Sequence, residues 1–129
     1  MKEESKHNPT EAELEILQIL WQSGPATVRA VHEQLDRQRE VGYTTTLKNM
    51  QNMVQKRLLK RDDSQRSHIY SAAIRQEPTQ RALLDRFLDK AFGGSASRLV
   101  MQALGNRSTS PEELQQIKEL IRQLENKKS

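Results

Sequence analysis

Three features of the sequence predict a mostly α-helical fold with one small β-hairpin. Two amphipathic segments are followed by a third that opens on polar residues, Tyr43-Thr44-Thr45-Thr46-Leu47-Lys48-Asn49-Met50. Behind it lies a basic stretch, Lys60-Arg61-Asp62-Asp63-Ser64-Gln65-Arg66-Ser67-His68-Ile69-Tyr70, whose polar centre and alternating flank read as a hairpin. Apolar residues at helical spacing return after residue 77. Helix-helix-helix-strand-strand is the order of a winged helix-turn-helix, here with further helices appended. The expected division is a winged domain over residues 1–76 and a C-terminal helical domain over residues 77–129.

Each element has a local cause. Thr10-Glu11-Ala12-Glu13 is a capping box: the Thr10 hydroxyl accepts from the Glu13 amide, and the Glu13 carboxylate accepts from the Thr10 amide. Leu14, Ile16, Leu17, Ile19, Leu20 and Trp21 then give a broad apolar face, which Gly24-Pro25 stops. Trp21 is expected to anchor the core at the end of this helix. Thr27 caps a second helix carrying Val28, Val31 and Leu35, and residues 36–42 make the turn. The third helix is expected over residues 44–57, with Leu47, Met50, Val54 and Leu58 inward. A strand begins near Leu58, residues 62–67 form the tip, and residues 68–74 return. On the returning strand Ile69, Ser71 and Ala73 face one way, and His68, Tyr70, Ala72 and Ile74 the other. Glu77-Pro78-Thr79 opens a helix with Leu83, Leu84, Phe87, Leu88 and Ala91, ended by Gly93-Gly94. A short helix with Leu99, Val100, Ala103 and Leu104 follows, stopping near Gly105-Asn106. Ser110-Pro111-Glu112-Glu113 is a second capping box, with proline at its preferred first helical position.

The last helix carries Leu114, Ile117, Ile121 and Leu124 at spacings of three, four and three, with Leu120 beside them. Only 4% of the residues are aromatic and 34% hydrophobic, so one copy has little to bury. Pairing of two copies is expected through Leu84, Phe87, Leu88, Leu99, Val100, Leu114, Ile117, Leu120, Ile121 and Leu124.

Charge is unevenly placed. The net charge is +4, but residues 1–40 hold 5 basic and 8 acidic residues, a net of −3. Residues 48–75 hold 7 basic and 2 acidic residues, a net of +5. Positive charge thus gathers on the third helix and hairpin, the pattern expected of a nucleic-acid face. The candidate DNA contacts are Thr27, Tyr43, Thr44, Thr45, Thr46, Lys48, Asn49, Lys60, Arg66 and Ser67. Threonine offers a hydroxyl and a methyl, asparagine bonds bidentately to adenine, and lysine reaches guanine or phosphate. Arg66 is placed to meet a phosphate or a minor groove.

Other chemistries are excluded or unsupported. There is no cysteine, which removes disulfides, thiolate metal sites and cysteine nucleophiles. His7, His32 and His68 lack metal-ligand spacing, and no metal or cofactor is expected. No nucleophile elbow, phosphate loop or acid/base pair is present, so the chain reads as a regulator and not an enzyme. No apolar run approaches the ~18 residues of a membrane helix, and Met1-Lys2-Glu3-Glu4-Ser5-Lys6 lacks a secretory apolar core. A cytoplasmic protein without membrane insertion is expected.

These segments together resemble the BlaI/MecI/CopY family of bacterial transcriptional repressors. The resemblance is carried by Thr10-Glu11-Ala12-Glu13-Leu14-Glu15-Ile16-Leu17 with Trp21, by Tyr43-Thr44-Thr45-Thr46-Leu47, by Lys56-Arg57-Leu58-Leu59 and by Tyr70-Ser71-Ala72. Gly93-Gly94-Ser95-Ala96-Ser97-Arg98-Leu99-Val100 and Ser110-Pro111-Glu112-Glu113-Leu114 extend it over roughly residues 9–127. It implies a homodimeric repressor that binds a palindromic double-stranded DNA operator through its winged domain. It also implies release by a membrane sensor metallopeptidase that cuts the C-terminal domain. The family's Asn-Phe cut site maps onto Gln102-Ala103, where both residues differ. A lysine that reads bases in relatives maps onto Thr45. The copper-responsive branch senses through cysteines, which this chain lacks. The rival reading is a winged-helix adaptor that binds protein and has no sequence-specific hold on DNA.

Overall fold

The computed structural model describes residues 8–128, with Lys128 described by its backbone alone. Among these residues the order is α1 (Glu11–Ser23), α2 (Val28–Gln38), α3 (Tyr43–Gln55), β1 (Leu59–Asp62), β2 (Ile69–Ala72), α4 (Gln76–Phe92), α5 (Ala96–Asn106) and α6 (Pro111–Lys128). This is the predicted winged helix-turn-helix followed by helices. Two compact units are present, the first reaching Leu84 and the second starting at Asp85, so the division falls within α4.

The first unit is built on a small apolar core. Ile16, Leu17, Ile19 and Leu20 of α1 meet Val28, Val31 and Leu35 of α2, and Met50 and Met53 of α3. Leu58, in the link after α3, and Leu59 of β1 close it on one side, and Tyr70 of β2 and Ile74, just past that strand, on the other. The inward set Tyr70, Ala72 and Ile74 is one face of the expected alternation. Trp21 is half-buried at the core edge, and its indole donates to the Ile74 carbonyl at 3.1 Å.

Both halves of the first capping box form: the Glu13 amide donates to Thr10 Oγ1 at 3.2 Å, and the Thr10 amide to Glu13 Oε1 at 2.9 Å. α1 ends at Gly24, whose φ of 85° a side chain would strain. Ala26, in the link to α2, then exchanges two backbone hydrogen bonds with Tyr70, at 2.9 and 2.8 Å. This bridge ties the wing to the helical layer.

α3 stops at Gln55, two residues earlier than expected. The Leu58 amide donates to the Met53 carbonyl at 2.8 Å and the Arg57 amide to Val54 at 3.0 Å, with Arg57 at a φ of 67°. That is a Schellman ending with arginine in the left-handed position usual for glycine. It swings Leu58 back into the core. β1 and β2 pair antiparallel, with Leu59 opposite Ala72 and Asp62 opposite Ile69. α4 starts at Gln76, so Pro78 lies inside its first turn, where amides lack intrahelical partners and proline is tolerated.

One buried carboxylate joins α1 to the end of α3. Burial pushes the Glu13 carboxyl up, but the Lys56 ammonium, 2.6 Å from Oε2, and the Thr10 amide outweigh it and hold it below the ordinary carboxylate value. A depressed folded value stabilises the fold above the ordinary carboxylate range, and the contribution disappears as pH falls through the lower folded value. Glu13→Gln is therefore expected to cost on the order of 1 kcal/mol near neutral pH. Urea unfolding should show the gap to wild type closing on acidification, and a gap that persists in acid would contradict the assignment.

The second unit differs in kind. Ser95 caps α5 by accepting from the Arg98 amide at 3.3 Å. Ser110 and Glu113 form the second capping box, at 3.1 and 3.4 Å. Yet α5 and α6 contain no buried side chain among the described residues.

Candidate nucleic-acid interface

α3 packs on the core through Thr46, Met50 and Met53, with Leu47 and Val54 partly covered. The opposite face is polar and exposed: Thr44, Thr45, Lys48, Gln51, Asn52 and Gln55. From residue 41 to residue 61 there is no acidic side chain and there are five basic ones, Lys48, Lys56, Arg57, Lys60 and Arg61. Lys56 is taken by Glu13, and Arg61 of β1 pairs with Asp63, two residues on, at 2.8 Å. Lys48 and Lys60 stay exposed on α3 and β1.

Thr46 corrects one expectation. A candidate DNA contact on sequence, it is only 1% exposed, and its hydroxyl lies 3.4 Å from the Gly42 carbonyl and 3.3 Å from His32 Nδ1. It is a buried polar group with its hydrogen bonds met inside, so it is not available to a ligand. Asn49 is half-buried on the flank of α3, while Asn52, one turn on, faces out. The hydroxyl of Thr27 accepts from the Ala30 amide at 3.1 Å, which commits it to capping α2.

A groove of about 400 Å³ lies between the N-terminus of α2, α3 and the wing. It gathers Thr27, Tyr43, Arg66 and Ser67 from the expected set, and adds Arg29, Gln51 and His68. Tyr43, the first residue of α3, stays 43% exposed. The edge of the His32 ring meets it at 5.4 Å between centroids, and the Arg29 guanidinium lies 6.0 Å from its centre. Gln51 belongs to a stripe with Tyr43 and Leu47 at spacings of four, a signal present in the sequence. Arg29 was missed because its place opposite the wing comes from tertiary packing.

The residues expected to pair two copies are largely uncovered. Leu84, Phe87, Val100, Leu114, Leu120, Ile121 and Leu124 are exposed, and Leu88, Leu99 and Ile117 are half-exposed. Gln102 and Ala103 are exposed residues within α5. No described helix is long and apolar enough to cross a membrane, and the described residues contain no cluster of metal-ligating side chains.

Comparison with known proteins agrees with this arrangement. A penicillinase repressor of Staphylococcus aureus is 21% identical over 116 residues, covering 90% of this chain and 92% of the relative. The sequence profile described as penicillinase repressor matches residues 9–123, from the first capping box into the last helix. With helix order, wing and sequence profile in accord, the chain belongs to the penicillinase repressor family, a family of transcriptional repressors.

Proposed function

We propose that this protein represses transcription by binding a palindromic double-stranded DNA operator as a homodimer. The observation that carries the reading is the outer face of α3: polar, free of acidic residues, and set beside a basic wing on a rigid core. An α-helix fits the major groove, and a wing lies against the adjacent backbone. In this reading Thr44, Thr45, Lys48, Gln51 and Asn52 meet base edges or phosphates, and Lys60, Arg66 and Ser67 meet the backbone. Residues 1–76 serve as the DNA-binding part and residues 77–129 as the pairing part. The uncovered apolar residues of α4, α5 and α6 support pairing, because a second copy would take them out of water.

Relief by proteolysis fits the same architecture. A cut in α5 at Gln102-Ala103 would split the pairing part, and a membrane sensor metallopeptidase is the partner that the family resemblance suggests. Both bond-flanking residues differ from the family's pair.

The test is binding to single-base variants of an operator, read by fluorescence anisotropy. Asn52→Ala is expected to lower discrimination at one base pair by about 1–3 kcal/mol. Asn49→Ala should change the profile less, because its side chain is half-buried. An unaltered profile for Asn52→Ala, with Asn49→Ala shifting it, would reverse the assignment.

A further inference from the structure

The geometry points to a seat for a single DNA backbone phosphate in the groove between α2, α3 and the wing, held by Arg29, Arg66 and His68. This rests on the DNA-binding reading above and adds to it a site and two residues, Arg29 and His68. Three cationic or cation-forming side chains from two separate elements line one groove: Arg29 from α2, and Arg66 and His68 from the wing. Its wall includes the apolar bodies of Leu47 and Tyr70, the latter 2% exposed. A low-dielectric wall strengthens the field of these charges. The first hydrogen bond within α2 runs from the Val31 amide to the Thr27 carbonyl at 3.1 Å, so the amides of Val28 and Arg29 precede the helix's own bonding and lie at its positive end. Ser67, Tyr43 and Gln51 add hydrogen-bonding groups to the rim.

Asp63 Oδ1 lies 3.6 Å from His68 Nδ1, and the same carboxylate holds Arg61. Arg66 lies two residues from His68, and Arg29 and Tyr43 line the same groove from α2 and α3. The two arginines give the groove two fixed positive charges, and His68 adds a ring N–H able to donate to an anion.

The test is anisotropy on the full chain with a duplex selected from a random library, across about 50–200 mM salt. Arg29→Gln is expected to flatten the salt slope by about 0.9 log units per decade, the signature of one lost phosphate. His68→Ala is expected to weaken binding about tenfold, the loss of one hydrogen bond to a charged group. Both side chains are exposed, so neither variant disturbs the core. If wild type prefers the selected duplex while Arg29→Gln keeps its salt slope and His68→Ala its affinity, the seat is wrong and the repressor reading stands. If wild type prefers no duplex, the repressor reading falls and the seat with it.

Discussion

Replacing Leu120 and Leu124 together by glutamate is expected to turn the protein into a monomer and to weaken operator binding by about 10²–10⁴-fold. Both side chains are about half exposed on α6, at 55% and 50%, and lie on the stripe with Leu114, Ile117 and Ile121. Two carboxylates on that stripe would have to be desolvated for two copies to meet. A monomer keeps one recognition surface but loses the gain from holding two half-sites at once. The winged core includes neither residue, so the first unit should keep its unfolding transition. Light scattering gives the mass and anisotropy the affinity. A variant with unchanged mass and affinity would place the pairing surface elsewhere.

Met50→Ala is expected to cost about 2–5 kcal/mol, a large share of the roughly 5–15 kcal/mol that keeps a domain folded. Met50 is fully buried where α3 meets the core, and with Met53 and Thr46 it fixes the rotation of that helix. Its loss leaves a cavity directly beneath the exposed stripe. Urea unfolding should show an earlier midpoint, and DNA affinity should fall even where most molecules remain folded. A midpoint close to that of wild type would mean that α3 is seated by other contacts.

Much of the fold was legible because its causes are local. Both capping boxes involve residues three apart, and both form as read. The alternation of β2 puts Tyr70 inward, as a two-residue period requires, and Ile74, two residues past the strand, is buried in the same phase. What could not be read depends on the tertiary setting. The bridge from Ala26 to Tyr70 and the pair of Glu13 with Lys56 join residues more than forty positions apart. The early end of α3 needs a left-handed arginine, which no propensity scale would favour.

The outer face of α3 shows how a small error in helix phase changes a site. Each residue turns a helix by about 100°, so the inward set decides which side chains face out. Reading Thr46 as an exterior polar residue moved the face toward Asn49. The structure instead buries Thr46 against Gly42 and His32 and sinks Met53 into the core, which brings Gln51, Asn52 and Gln55 outward. A buried threonine with satisfied hydrogen bonds looks the same in sequence as an exposed one.

Whether two copies of this chain read one symmetric DNA site is decided by selection of bound duplexes from a random library, with the mass of the complex recorded by light scattering. The expected result is an enriched palindrome whose half-sites lie about one helical turn, roughly 34 Å, apart, bound by two chains. A stable dimer that enriches no sequence, and is held on heparin without preference among duplexes, would contradict it and favour the protein-binding adaptor.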